Sequence, residues 1–303
     1  MAVITTGAFA KLLWPGINSV FGGAYDEWPV EWSQIFPTYS SDKAYEEDVQ
    51  YEGLGLPQVK NEGAAVAYDQ MRQVFTQVYK NVTWALGFQV TREMFEDKQY
   101  AIIDKRAREL AFSMRQGEEV THANILNRAF SSTINTGADG LELCSTVHLK
   151  SGGGTYANEL TTAAVLTEAS LEQVCIDISG LENDRSLKIS VMPECLIVPR
   201  QLGFTAERIL NSALQNDSAN NAINALKSLS SIPKGVKMNH YLTDANNWFV
   251  KTNCPDGLKS FQRRKLEFDM DNDTDTQNAK FLATQRYIPY WSDARGIFGS
   301  APA

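Results

Sequence analysis

The stretch from Val82 to Met114 constrains the fold more than any other. Val82, Trp84, Leu86, Phe88 and Val90 alternate with Thr83, Ala85, Gly87, Gln89 and Thr91, the period of two that marks a strand with one buried face. Thr91 is placed to cap the next element, and Glu93, Glu96 and Asp97 suit the positive end of a helix. Ile103, Ala107, Leu110 and Met114 then recur at helical spacing among Asp104, Lys105, Arg106, Arg108 and Glu109, before Gly117 allows a stop. The spacing predicts one helix over residues 92–116, about 25 residues or ~37 Å at 1.5 Å per residue. In a single domain a helix of that length acts as a beam.

The remaining periodicities place other elements around it. Residues 121–130 read as a short helix, and 131–156 as strands and turns punctuated by Gly137, Gly140 and Gly152 to Gly154. Leu160 to Ile178 reads as a helix with a break near Thr167. Leu187, Ile189 and Val191 alternate, Leu196-Ile197-Val198 closes on Pro199, and an amphipathic helix runs from Phe204 to Leu214. Residues 215–235 suit a surface loop with a short helical piece. Phe261–Asp269 and Phe281–Tyr290 are strands separated by an acidic turn. Strand, long helix, loops, helix, strands, helix, strands is an α+β order without the rhythm of a dinucleotide fold. With 303 residues, the chain suits one large or two modest domains.

Residues 1–65 follow neither period. Trp14, Phe21, Trp28, Trp32, Phe36 and Tyr39 are interspersed with glycine and proline, and Asp42, Glu46, Glu47, Asp48 and Glu52 form an acidic cluster. So much apolar surface does not suit a free tail, and so little periodicity does not suit a separate core. Two readings remain: a strap across its own domain, or an arm and loop that bury their aromatic side chains on neighbouring subunits.

Several chemistries are disfavoured. A formal charge of −8 repels phosphate at long range, which argues against a broad grip on nucleic acid and leaves room only for a local basic lining. Pro15-Gly16 interrupts the early apolar stretch, so neither a signal peptide nor an anchor is expected, and no run approaches a membrane span. Cytoplasmic folding with free thiols is the reading for Cys144, Cys175, Cys195 and Cys254, which form no CxxC pair. Asp269, Asp271, Asp273 and Asp275 alternate like the opening of a calcium loop, but Thr274 and Lys280 stand where glycine and glutamate are required. Cys144 and His148 lack a third partner, and Gly152-Gly153-Gly154-Thr155 lacks the lysine of a phosphate loop. Glu194 with Glu207, and Asp26 with Glu27, show no sign of opposed carboxylates. Asn81-Val82-Thr83 falls in a strand of a chain without a secretion signal. No catalytic residue, cofactor or metal ligand is therefore expected.

Other features do carry a resemblance. They are Thr5-Thr6-Gly7-Ala8-Phe9 with the aromatic arm, Ala85-Leu86-Gly87-Phe88-Gln89-Val90-Thr91-Arg92-Glu93-Met94, and Asp139-Gly140-Leu141-Glu142-Leu143-Cys144 with His148. Pro193-Glu194-Cys195-Leu196-Ile197-Val198-Pro199 and the tail from Trp291 to Ser300 complete the set. In order and spacing the chain resembles the major capsid proteins of tailed bacteriophages, particularly the branch of the major head subunit of transposable, Mu-like phages.

The resemblance implies the fold shared by tailed phages and herpesviruses. It would have an N-terminal arm at 1–30, an extended loop at 31–65, a peripheral domain at 66–157 with spine helix 92–116, an axial domain at 158–280, and a C-terminal segment, 281–303, returning to the peripheral domain. It implies a homo-oligomer of hexamers and pentamers, assembled in the bacterial host cytoplasm into a virion shell around double-stranded DNA that is not read by sequence. A separate scaffolding protein is the expected partner, with a portal and a decoration protein as further ones, and no membrane. Trp28, Trp32, Phe36, Tyr39, Glu46 and Glu47 are the expected intersubunit contacts. Lys43 and Lys60 lie in the loop without an identified cross-linking partner, so non-covalent association is expected. The rivals are another virion structural protein, from tail or portal, and a hydrolase or transferase with a dispersed site around His148 or His240.

Overall fold

A computed structural model describes residues 8–134, 136–215, 222–273 and 278–302, with side chains from Trp14 onward apart from that of Asn272. In chain order the helices are α1 (Ala8–Glu27), α2 (Arg92–Glu96), α3 (Tyr100–Asn127), α4 (Glu168–Ser179), α5 (Gly203–Asn211) and α6 (Ala225–Ser228). The first strands are β1 (Thr38–Ser40), β2 (Tyr45–Tyr51), β3 (Gln73–Lys80), β4 (Val82–Val90), β5 (His148–Leu149) and β6 (Thr155–Tyr156). β7 (Pro193–Pro199), β8 (Val236–Asn239), β9 (Trp248–Thr252), β10 (Leu258–Asn272), β11 (Ala279–Trp291) and β12 (Ile297–Ser300) complete the set.

Two four-stranded sheets organise the chain. The first has the order β1-β10-β11-β4, with β1 parallel to β10 and the other pairs antiparallel. One face of β11 is buried at every second residue, from Ala279 to Trp291, because α1 and α3 cover part of it. Ile17 of α1, Ile103 and Ala107 of α3, and Phe281 and Val90 of the sheet form one cluster. Phe21, Ala24, Leu110, Ala111, Met114 and Ala283 form the next. The second sheet has the order β12-β9-β7-β8, and its core joins Leu171, Val174 and Ile178 of α4 to Leu196, Val198, Trp248 and Val250, with Ile209 of α5. A third cluster, including Phe36, Leu126, Ile197, Phe249, Trp291 and Ile297, joins the two halves.

The long helix is displaced from its expected span. Thr91 does cap a helix, accepting the N–H of Met94 at 3.3 Å, but α2 has only five residues. Lys98 then takes a positive φ of 56°, and α3 restarts at Tyr100 for 28 residues, about 42 Å. Gly117 does not stop it: the buried seam continues through Glu118, His122, Ile125 and Leu126, so packing outweighs the helix-weakening preference of one glycine. The separate helix expected at 121–130 is the end of α3.

The first fifth is more ordered than its sequence periods imply. α1 contains Pro15, which the helix tolerates because Ile17, Phe21 and Ala24 are anchored on the first sheet and α3. β2 and β3 form an antiparallel ribbon from Tyr45 to Lys80, so the expected loop boundary at residue 65 cuts through its return path. Two strands pair across the expected divisions. β10, expected within 158–280 as axial, belongs to the first sheet, and β12 at the C-terminus pairs with β9 in the second. Residues 187–191 form no strand. The expected break near Thr167 is the start of α4, where Thr167 and Ser170 make a reciprocal cap. Within 215–235 the short helical piece is α6, and residues 216–221 lie outside the described residues.

Candidate functional site

Three segments distant in sequence meet at Glu119. Its side chain is fully buried in α3, and its two carboxylate oxygens accept the backbone N–H groups of Glu31 and Trp32 at 2.8 and 3.1 Å. Glu31 in turn accepts from the backbone N–H of His240 at 2.9 Å, and its carboxylate meets the His240 ring. Residues 28–36, the long helix and the second half of the chain are thereby tied together. Burial pushes the Glu119 carboxyl up to about 7, against the lowering effect of the two N–H groups. The preceding residue, Glu118, pairs with Arg115 at 3.0 Å and accepts from the Tyr25 hydroxyl at 2.9 Å, fastening α1. His122 is buried with Nδ1 2.7 Å from the Glu118 carbonyl and Nε2 2.9 Å from Ser260 Oγ, and burial holds its pKa at about 4.

A second polar centre fixes the root of the ribbon. Lys259 of β10 lies between Asp48 of β2 and Asp256, at 2.5 and 2.7 Å. Asp48 also accepts from Ser292 Oγ at 2.5 Å and from the Tyr79 hydroxyl at 3.2 Å. Burial alone would raise the Asp48 pKa, but the hydrogen bonds from Lys259, Ser292 and Tyr79 and the lysine charge outweigh it and hold it below the usual carboxylate value. Beyond the root, Arg185 pairs with Glu52 at 3.0 Å and Asp69 at 2.6 Å. Between these anchors, residues 52–72 present Leu54, Leu56, Val59, Val66, Tyr68 and Met71 to solvent, with Val59 94% and Tyr68 93% exposed.

The expected contact residues divide accordingly. Phe36 is only 1% exposed, packed in the cluster that joins the two halves and edge-on to His122, so its ring offers no surface to a neighbour. Trp32 stacks on His122 at 4.1 Å and is mostly spent within the chain. The three-residue 3-10 turn Trp32–Gln34, held by Glu119 through its backbone, sets both rings against His122. Trp28, 46% exposed against Phe112, and Tyr39, near Phe261 and Lys259, stay accessible. Glu46 accepts from Ser41 Oγ at 2.7 Å, and Glu47 projects from the ribbon, exposed.

The profile of the phage capsid protein family matches residues 73–299, about three quarters of the chain. The chain belongs to the phage capsid protein family. Solved structures agree on the fold. The virus-like particle from Pyrococcus furiosus aligns with a TM-score of 0.55 at 10% identity, covering 94% of this chain and 98% of that one. The capsid of the native GTA particle aligns at 0.53 and 13%, covering 91% and 92%. The procapsid of bacteriophage JBD30 aligns at 0.52 and 12%, covering 98% and 76%. No curated protein matches by sequence. The architecture is thus the α+β fold of tailed-phage major capsid proteins, and the chain's role is structural.

In this capsid chain the residues weighed for chemistry have packing roles. His148 is buried, with Nδ1 2.7 Å from Asp139 and Nε2 3.3 Å from the Leu143 carbonyl. Cys144 is buried and its thiol is pushed up by burial, which disfavours the reactive thiolate. Asp273 pairs with Lys280 at 2.8 Å, while Asp275 lies outside the described residues. No cluster among the described residues could hold a metal ion. Sequence reasoning missed Glu119, Lys259 and Asn158. Asn158 is buried and donates to the carbonyls of Leu143, Ala294 and Ile297. Their partners lie far away in sequence, and only a charge or amide at an otherwise apolar position could have flagged them.

Proposed function

We propose that this major capsid protein assembles as hexamers and pentamers into a closed icosahedral shell around phage double-stranded DNA. The observation that carries the reading is the capsid fold over nearly the whole chain, joined to a ribbon whose apolar tip has no cover in the single subunit. Exposed apolar surface on that scale marks an interaction site. In this reading the ribbon over 45–80 is the extended loop, and α1 with residues 28–36 belongs to the N-terminal arm. The first sheet with α3 is the peripheral domain, and the second sheet with α4 to α6 is the axial domain. Trp28, Tyr39 and Glu47 serve as contacts to neighbouring subunits. Assembly takes place in the cytoplasm of a bacterial host with a separate scaffolding protein, a portal and a decoration protein. The motifs leading into α2 and the C-terminal tail favour the branch of transposable, Mu-like phages. A net charge of −8 repels phosphate at long range and suits a shell that encloses DNA without gripping it over a broad surface.

Cryo-electron microscopy with light scattering of the expressed chain, alone and with its scaffolding protein, tests this directly. Closed shells, or sheets and tubes of hexamers, are expected. A monomer or dimer under all these conditions would refute the reading.

A further inference from the structure

The two sheets have four outer edges, and three of them are blunted against pairing with another chain. β1 has only three residues. β8 has four, one of them Lys237. β12 is covered on its outer side by an isolated bridge between Glu159 and Gly299. β4 differs in every respect. It is nine residues long, VTWALGFQV, and contains no charge and no proline. It is exposed from Val82 to Gly87. Every second backbone N–H and C=O points away from β11, and no strand among the described residues pairs on that side. At the far end the Gln89 carbonyl accepts from Arg106 at 2.9 Å, which closes the edge there and leaves residues 83–87 open. A long, apolar, uncharged edge is an aggregation site in a free monomer unless something is meant to pair with it.

We infer that the open edge of β4 pairs antiparallel with β4 of a second copy of this chain, about a twofold axis at Ala85 or Leu86. The strand's own pattern selects that occupant. Val82, Trp84 and Leu86 lie on the face that α3 partly covers, opposite Tyr287, Gln285 and Ala283, and all three remain exposed. Thr83, Ala85 and Gly87 form the other face. A twofold at Ala85 sets Trp84 of one copy beside Leu86 of the other and Thr83 beside Gly87. A twofold at Leu86 sets Trp84 beside Phe88 and Ala85 beside Gly87. In both registers bulky side chains meet bulky ones, small meet small, and no charge meets a like charge. A partner recognised through charge finds nothing to grip on this strand, whereas an identical strand is complementary throughout. The result is one continuous eight-stranded sheet across two subunits. This inference rests on the capsid reading for the supply of copies and adds where two of them join.

Single variants Ala85→Cys and Leu86→Cys, assembled and mildly oxidised, test it on a non-reducing gel against the parent chain. Directly opposed Cβ atoms about 4.5–5.5 Å apart bring two thiols into disulfide range, so a dimer band is expected from one of the two. Thr83→Lys, at an exposed position opposite Arg286 of β11, is expected to cut particle yield about tenfold by placing a charge on the shared edge, with the melting temperature of the unassembled subunit reading any loss of folding separately. Particles that form at normal yield with Thr83→Lys and show no cross-link at either cysteine overturn the inference and leave the capsid reading standing. Cross-linked dimers without particles support the inference and count against the shell. Neither particles nor cross-links overturns both.

Discussion

The Glu119 carboxylate accepts the backbone N–H of Trp32 at 3.1 Å, so a side chain in the long helix sets the path of residues 28–36. Its partner is backbone, so among substitutions at Trp32 proline alone, which lacks the N–H, removes that donor. The consequences of this contact and three others can be measured.

Glu119 links stability to pH. With its carboxyl raised to about 7 from 4.5, the folded chain holds a proton that the unfolded chain releases between those values. Its contribution is therefore complete below pH 4.5 and lost as pH rises through 7, up to about 3 kcal/mol. Thermal melts of the parent and of Glu119→Gln across about pH 5 to 8 are expected to show the parent's advantage shrinking as pH rises. A gap that widens over this range would contradict the assignment.

Asp48 and Lys259 act in the opposite direction. The lowered Asp48 pKa contributes stability that is present above the unfolded value of 3.8 and lost as pH falls through the still lower folded value. Lys259→Met keeps most of the stem's packing but leaves Asp48 and Asp256 facing each other. It should cost about 2–4 kcal/mol in urea unfolding at neutral pH, and much of that cost should disappear near about pH 3.

Trp28 and Phe36 should separate assembly from folding. Phe36→Ala empties a fully buried site and is expected to destabilise the subunit by about 3–5 kcal/mol. Trp28→Ala removes a half-exposed ring and should change subunit stability by about 1 kcal/mol or less while lowering particle yield. Equal effects on melting temperature from both variants would count against this division.

Two glycines make a matched pair. A Cβ on Gly296 would lie 2.4 Å from the Cα of Gly257, backbone against backbone where β10 begins beside the turn into β12. Gly296→Ala should therefore cost about 3 kcal/mol or more, or yield insoluble chain. A Cβ on Gly117 meets nothing within 4 Å, so Gly117→Ala should stabilise α3 by about 0.5–1 kcal/mol. Chemical denaturation of both variants gives the comparison.

Local pattern by itself determined the strand at 82–90, the strand ending at Pro199, the helix after it and the long pair β10 and β11, because each carries its period within a few residues. The resemblance to capsid proteins was legible for the same reason, in short motifs whose order survives. Local pattern also left a true ambiguity in the first fifth, between a strap on its own domain and an arm for neighbours. Within the single chain, tertiary structure decides where Trp32 and Phe36 pack: they lie against His122 because Glu119, more than eighty residues away in sequence, supplies acceptors for the backbone of that turn. Gly117 and Pro15 mislead in the same way, since burial along the α1 and α3 seams outweighs single-residue preferences of about 1–3 kcal/mol. The sheet to which β10 and β12 belong depends on which strands they meet, and strand pairing is a non-local choice that no window of sequence contains.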